Sequence, residues 1–316
     1  MIATITINPA LDKSLVVEKL IPEKKLRCSN TTIEAGGGGI NVSKAIKKLG
    51  GESIAIFPSG GLNGRCLNQI LETQSITFKS IPVINETREN FTVTESSANA
   101  QYRFVMPGSF LSTDEIEACI TAITSLNPSP TIIVASGSLP PGAPGNFFAR
   151  LAVVSKQIGA KYIVDTSGNP LKLAAKEGVH LLKPNLSELC SLVEKDYLQL
   201  DEVDAAAKEV IQKGHCEVMV VSMGPAGALL VTANEHERIP APVVKKLSTV
   251  GAGDSMVGGM AWMLEQGATL KEMVRFGVAC GTAATMNSGT QLFRKENVLE
   301  IYEWINEHSG KELIVL

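Results

Sequence analysis

From about residue 110 onward, short apolar runs rich in β-branched residues alternate with helical patterns. Residues 131–135, 161–164 and 218–221 read as strands, and 180–182 as another. Residues 112–126, 144–159 and 201–213 read as helices. In the last of these Val203, Ala206, Ala207, Val210 and Ile211 fall on one helical face. This alternation predicts βαβ units and a mostly parallel sheet covered by helices. Ligands in such sheets bind beyond the carboxyl ends of the strands, so the loops just after strands are where chemistry is expected. Residues 296–307 close the pattern as a helix.

Two early stretches depart from it. Residues 13–20 and 28–34 look like a pair of short strands. Residues 89–95 and 101–105 look like a hairpin across the polar turn Ser96-Ser-Ala-Asn-Ala100. Phe91 and Val93 alternate with Thr92 and Thr94, giving one apolar and one polar face. Four short strands inside an α/β chain predict a small second sheet. No repeat, low-complexity tract or linker interrupts the chain.

Composition narrows the function classes. The 316 residues suffice for one large α/β domain, and 44% apolar with 19% charged is globular balance. A net charge of −3 without a basic block argues against wrapping nucleic acid. Six scattered cysteines form no Cys-x-x-Cys and read as free thiols in a reducing compartment. Four histidines are equally scattered, which argues against zinc. Residues 1–7 alternate like a strand rather than a signal peptide. The apolar stretch 218–231 contains Gly224, Pro225 and Gly227 and is too short to span a bilayer. A cytoplasmic protein with no membrane partner is expected.

The strongest chemical signal is Ser248-Thr-Val-Gly-Ala-Gly-Asp254 ahead of a helical run to about Glu265. Gly251, Ala252 and Gly253 let a ligand approach the backbone, and a helix starting there points free N–H groups and a positive dipole end at an anion. Asp254 then lies in the first turn beside that anion. A tight turn with a helix-start Asp is the structural alternative. Gly36-Gly-Gly-Gly39 followed by Ile40 and Asn41 allows close ligand approach or a hinge into the next helix. Asn41 can bond sugar hydroxyls. Lys183-Pro-Asn185-Leu-Ser-Glu188 follows a strand; Asn185 and Glu188 can hold magnesium through its waters, or form a helix cap. Ser222-Met-Gly224-Pro-Ala-Gly227 can accept a flat adenine, or be a glycine turn between strands. Lys25, Arg27, Arg88 and Arg103 share the inserted segments, where Arg suits a bidentate grip on phosphate; taken singly, each reads as a solvated surface charge. Asp12 can accept from sugar hydroxyls or cap a turn.

Together with Asn8-Pro-Ala-Leu-Asp12 and Ser136-Gly-Ser-Leu-Pro-Pro-Gly142, these motifs resemble, in order and over nearly the whole chain, the ribokinase-like carbohydrate kinases that include phosphofructokinase B. Lys25-Leu-Arg27 and Tyr102-Arg-Phe-Val-Met-Pro-Gly108 resemble its ATP-dependent 6-phosphofructokinase branch. The resemblance implies a three-layer α/β fold over residues 1–316 with a β lid near 13–34 and 88–106. It implies Asp254 as catalytic base with Gly251, Ala252 and Gly253 as anion hole, and Lys25 reaching the transferred phosphoryl group. It implies Asp12, Gly37, Gly38, Asn41 and Ser138 at the sugar, and Arg27, Arg88 and Arg103 at its phosphate. Lys183, Asn185, Glu188, Ser222, Gly224, Gly227 and Thr249 match ATP-site positions, with Asn185 and Glu188 organising Mg2+. Ser248, Val250, Asn287 and Gly289 match a potassium site; Gln291 and Lys246 depart from the pattern. The implied reaction is phosphorylation of fructose 6-phosphate by a homodimer joined through its lids. A fructose 1-phosphate or tagatose 6-phosphate kinase, a silent sugar-phosphate or nucleotide sensor, and a NAD-binding dehydrogenase are the alternatives. The last lacks a Gly-x-Gly-x-x-Gly after the first strand.

Overall fold

The computed structural model describes residues 1–287 and 291–309. The chain opens with β1 (Ile2–Ile5), β2 (Ala10–Val17), β3 (Ser29–Gly36), α1 (Gly38–Leu49), β4 (Ser53–Ser59), α2 (Gly61–Thr73) and β5 (Phe78–Pro82). Next come β6 (Arg88–Glu95), β7 (Ala100–Phe104), α3 (Thr113–Thr124), β8 (Ile132–Ser136), α4 (Phe147–Gln157), β9 (Lys161–Asp165) and α5 (Gly168–Glu177). β10 (Val179–Leu182), α6 (Leu186–Leu192), α7 (Val203–Gln212), β11 (Cys216–Ser222), β12 (Ala228–Val231) and β13 (His236–Ile239) follow. The last three helices are α8 (Ala252–Glu265), α9 (Leu270–Thr285) and α10 (Lys295–His308).

Nine strands form one sheet in the order β13-β12-β11-β10-β9-β8-β1-β4-β5. Its pairings are parallel except for β11–β12 and β12–β13. Separate apolar clusters cover its two faces. One contains Phe147, Leu151, Leu171, Leu189 and Val210 from α4 to α7, the other Ile46, Met260, Phe276 and Ile305 from α1, α8, α9 and α10. The result is the expected three-layer α/β arrangement. Because both faces are covered, the alternation in β1 does not produce a solvent face. All four of its residues are buried, and the Thr4 hydroxyl lies 2.8 Å from the Ser43 hydroxyl in the interior.

Capping chemistry sets several helix starts. Ser112 with Glu115 and Thr269 with Glu272 form reciprocal boxes at α3 and α9. The helix expected from residue 144 begins at Phe147, after a turn in which the Phe147 N–H donates to the Pro144 carbonyl at 2.9 Å.

The four early strands form a second sheet in the order β3-β2-β6-β7. β2 pairs antiparallel with β3 and parallel with β6, and β6 and β7 form the expected hairpin. Its register assigns the side chains to two faces, with a shift in β2 between Ser14 and Val16. Asp12 lies between Glu34 and Asn90, and Ser14 between Thr32 and Thr92, which itself faces Arg103. Two residues along β6 from Asn90 is Arg88, so Arg88, Asn90, Asp12 and Arg103 share one polar face. On the other face Phe91 pairs with Phe104 and Val93 with Tyr102. A third cluster, with Leu11, Ala35, Phe57 and Leu67, roots this sheet on α2 and β4. Among the described residues no helix is long and apolar enough to cross a membrane.

Candidate active site

The carboxyl ends of β1, β8, β9 and β10 converge on the starts of α1 and α8, beneath the root of the small sheet. At the start of α8, Gly251 takes a left-handed φ of 74°, which a side chain would strain. Among the described residues no side chain caps this helix. Among the described residues the N–H groups of Gly251, Gly253 and Asp254 have no acceptor, so three donors converge at a positive dipole end. The arrangement fits an anionic phosphate.

Asp254 is held on both oxygens. Asn41 Nδ2 donates to Oδ2 at 2.9 Å, and the Ser136 hydroxyl to Oδ1 at 3.2 Å. Burial, then the nearby Asp165 carboxylate, push its pKa up to about 6; Asn41, Lys183 and Ser136 oppose that rise. An acid so placed can accept a proton near neutral pH, which its ordinary value would make less favourable. Asn41 Oδ1 is buried and has no partner among the described residues, leaving an acceptor at the same spot.

Crowding accounts for glycine at several positions of the run. A Cβ at Gly38 would fall 2.2 Å from the Ser136 hydroxyl, and one at Gly36 would fall 2.0 Å from Asp12 Oδ2. Gly37 precedes α1 with φ 120°. Asp12 accepts from Asn90 Nδ2 at 2.8 Å. Burial raises its pKa, against the pull of Asn90, Lys44 and Arg88. Ser138 lies at the rim, where Asn8 Nδ2 donates to its hydroxyl at 3.1 Å.

On the other side of Asp254, Lys183 is buried at the end of β10 with its ammonium 3.2 Å from Asp165 Oδ1 at the end of β9. Burial lowers its pKa, but Asp165, with Glu188 and Asp254, outweighs burial and leaves it raised. A Cβ at Gly253 would stand 3.6 Å from the Lys183 ammonium, so the glycine keeps that charge open to the anion cradle. Asn185 and Glu188 form the reciprocal capping box of α6, at 2.8 and 2.9 Å. The capping reading of this motif is therefore correct. It uses only Oε2 of Glu188, and Oε1 remains for a hydrated metal ion. Burial raises the Glu188 pKa, with the Asn185 N–H pulling the other way. Among the described residues there is no cluster of three or more His, Cys, Asp or Glu side chains to enclose a metal. A magnesium ion that keeps its waters and bridges phosphates does not need one.

Ser222 bridges to Asn185. Gly224 begins the 3-10 turn Gly224–Ala226 and Gly227 ends it, between antiparallel β11 and β12. The strand-turn reading thus holds, with Gly224 exposed at the mouth. Thr249 is exposed as well. Ser248 is buried; its hydroxyl accepts from the Val250 N–H at 3.2 Å, and its own N–H, like that of Leu247, donates to the Thr285 carbonyl. This ties Ser248 and Val250 to the end of α9 beside Asn287, whose Nδ2 donates to the Ala283 carbonyl at 3.1 Å. Gly289 lies outside the described residues.

The basic set is only partly gathered. Arg88 does not stand free to grip phosphate with its whole fork. Nη2 donates to the Asn8 carbonyl at 2.9 Å, Nε to the Pro9 carbonyl at 3.4 Å and Nη1 to the Met106 carbonyl. Its position beside buried polar backbone explains this, and one N–H on each Nη remains. Arg103 is exposed on the same polar face. Lys25 and Arg27 are exposed between β2 and β3, without ion pair or hydrogen bond to Asp254. Asp165, Lys44 and Asn90 carry no motif that marks them, and Ser136 opens a motif without being singled out by it. Asp165 had a signal, being the first residue past the run 161–164.

Residues 6–297 match the pfkB family carbohydrate kinases. The chain is 42% identical over 306 residues to ATP-dependent 6-phosphofructokinase isozyme 2 of Escherichia coli, covering 96% of this chain and 99% of that one. It is 31% identical over 288 residues to a 1-phosphofructokinase of Borreliella burgdorferi, covering 90% and 92%. Structures of E. coli phosphofructokinase-2 cover 96% of this chain and 99% of theirs. The potassium complex superposes with TM-score 0.92 at 42% identity. The fructose-6-phosphate complex gives 0.91 at 40%, and the tetrameric inhibited form 0.91 at 41%.

Proposed function

The chain belongs to the pfkB family of carbohydrate kinases, and on that premise we propose that it transfers the γ-phosphoryl group of ATP to fructose 6-phosphate, giving fructose 1,6-bisphosphate and ADP. The observation that carries the chemistry is the juxtaposition of a raised-pKa carboxylate, Asp254, with three unpartnered N–H groups at the start of α8.

In this reading Asp254 orients the attacking hydroxyl and takes its proton as the bond to phosphorus forms. Asn41 and Ser136 fix the carboxylate, and Asn41 Oδ1 accepts from the sugar. The N–H groups at 251, 253 and 254 stabilise charge on the transferring oxygens, in a reaction whose loose transition state depends on positioning and charge. Lys183 faces the same phosphates past Gly253, and Glu188 with Asn185 would hold a hydrated magnesium ion. When bound, magnesium neutralises phosphate charge. Ser222, Gly224, Gly227 and Thr249 line the nucleotide side. Asp12, Gly37, Gly38 and Ser138 line the sugar side. Arg103, the remaining Arg88 donors, Arg27 and Lys25 hold the far phosphate, with Lys25 reaching inward when the small sheet closes as a lid. Ser248, Val250, Asn287 and Gly289 are the proposed potassium site. The whole chain acts as one kinase domain.

The lid's apolar face supports a homodimer. Ile33, Tyr102 and Phe104 are exposed by 46%, 41% and 49%, and a second copy of that face would cover them. The cysteines, all free and four of them buried, suit the cytoplasm. A coupled ADP-release assay with fructose 6-phosphate, fructose 1-phosphate, tagatose 6-phosphate and fructose tests the function. Fructose 6-phosphate is expected to give the highest kcat/KM; preference for another sugar phosphate, or binding without turnover, rejects the proposal.

A further inference from the structure

The segment after β7 lies across the mouth of the sugar side with little apolar support. Val105 and Met106 are 61% and 40% exposed. What holds it is polar. The Met106 N–H donates to Asn90 Oδ1 at 3.1 Å, and the Met106 carbonyl accepts from Arg88. The next carbonyl, Pro107, accepts from Asn8 Nδ2 at 3.1 Å. Gly108 follows with φ 100°, and a Cβ there would fall 2.3 Å from Asn8 Oδ1. Each residue gripping this strap also belongs to the sugar side. Asn90 donates its other amide atom to Asp12 Oδ1 at 2.8 Å, and Asn8 donates to Ser138.

Asn90 is the centre of the arrangement. It pairs in register with Asp12 on adjacent parallel strands, so the two side chains stand side by side on the polar face. Its oxygen is committed to the strap and its nitrogen to the carboxylate. A planar amide satisfied at both ends cannot turn without breaking one bond. Asp12 Oδ1 is thereby fixed, and Oδ2 is left over Gly36 to receive a sugar hydroxyl. We infer that Asn90 is a positioning residue that joins the 105–108 strap to the Asp12 carboxylate, so that the sugar site is in order only when the strap is seated. The inference rests on the kinase reading for its kinetic consequence but not for the bond between strap and amide.

The two bonds separate in two variants. Asn90→Ala removes both. Asn90→Asp keeps an acceptor for the Met106 N–H but, at pH 8, sets a second carboxylate against Asp12. Asn90→Ala is expected to raise the KM for fructose 6-phosphate about 10-fold or more, as loss of a hydrogen bond to a charged group does. Its KM for ATP stays unchanged. Asn90→Asp is expected to lose as much sugar affinity. In an Asp12→Asn background, Asn90→Ala should add little, because it acts through Asp12. Hydrogen exchange of the 104–109 peptide should quicken in Asn90→Ala and stay near wild type in Asn90→Asp. Additive kinetic losses in the double variant, or unchanged exchange in Asn90→Ala, overturn the inference. A wild-type enzyme without fructose 6-phosphate-dependent ADP release would instead reject the kinase reading, and the exchange comparison would still decide the clamp.

Discussion

The Lys183 ammonium sits 3.2 Å from Asp165 Oδ1, and the space above Gly253 opens onto both. These groups end neighbouring parallel strands, β10 and β9, so the sheet itself sets their separation. The pair is buried, with side-chain exposures of 6% and 16%. Removing one partner of a buried pair costs up to about 3–5 kcal/mol, of which Glu188 and Asp254 near Lys183 offset a part. Asp165→Ala is therefore expected to lower unfolding stability by that order at pH 7. Urea denaturation checks it, and a loss below about 1 kcal/mol would show that Lys183 finds other partners.

Asp165 also raises the Asp254 pKa. The activity of the wild-type enzyme is expected to fall about tenfold per pH unit below an inflection near 6, since only the ionised carboxylate accepts the proton. Asp165→Asn removes the like charge and should move that inflection to lower pH. A profile of kcat against pH for both enzymes decides the point. An unchanged or higher inflection in the variant would remove Asp165 from the electrostatics of the base.

The same shift bears on stability with a definite sign. Asp254 is raised in the folded state from 3.8 to about 6, so the folded protein holds its proton more tightly than the unfolded chain. Its contribution is neutral below about pH 4, and a penalty grows as pH rises to 6 and persists above. Asp254→Asn is expected to be more stable than wild type at pH 8 by on the order of 3 kcal/mol, with the difference vanishing towards pH 4. Turnover should fall at least ~10²-fold while ATP affinity holds. Paired unfolding and rate measurements test both halves. A variant less stable than wild type at pH 8, or near-normal turnover, contradicts the assigned environment.

These predictions depend on features of unequal legibility in sequence. Asp254 was readable because glycines just before a helix restrict what the local backbone can do. Strand and helix positions were readable because apolar periodicity reflects the faces that must be buried. The reason for the glycine run was not, since it lies in contacts of Gly36 with Asp12 and of Gly38 with Ser136, each distant or unmarked in the chain. Asn90 was invisible for the same reason. Its importance comes from register with Asp12, 78 residues away, and parallel register leaves no local trace. The family resemblance implies Arg88 at the substrate phosphate, but a sequence gives charge without showing which carbonyls its fork must satisfy.

The apolar lid face makes a separate prediction. Phe104 is half exposed opposite Phe91, at the centre of the surface proposed to meet a second copy. Phe104→Asp should shift the protein towards monomer in multi-angle light scattering, because a buried unpaired carboxylate opposes association. A wild-type protein that is monomeric at working concentrations, or a dimer indifferent to this change, rejects the lid interface.

Arg88 and Arg103 no longer make equivalent predictions, though they share a face of the small sheet. Arg103 has no hydrogen bond or ion pair among the described residues and faces Thr92 across the hairpin, so its whole guanidinium is available to the remote phosphate of the sugar. Charge-assisted hydrogen bonds contribute roughly 1.5–3 kcal/mol each. Arg103→Ala is accordingly expected to raise the KM for fructose 6-phosphate about 10- to 100-fold with a smaller change in kcat. Fructose, lacking the phosphate, should be used as poorly as before. Arg88→Ala removes donors from the carbonyls of Asn8, Pro9 and Met106 as well, so the strap and the start of β2 lose their tether. It should lower kcat together with raising KM, and should cost stability, which Arg103→Ala should not. Lysine restores the charge but not the fork, so Arg88→Lys should remain impaired where Arg103→Lys partly recovers. Steady-state kinetics with both sugars and thermal unfolding of the four variants test the distinction. Equal kinetic and stability losses at the two positions would show that Arg88 acts only as a phosphate ligand.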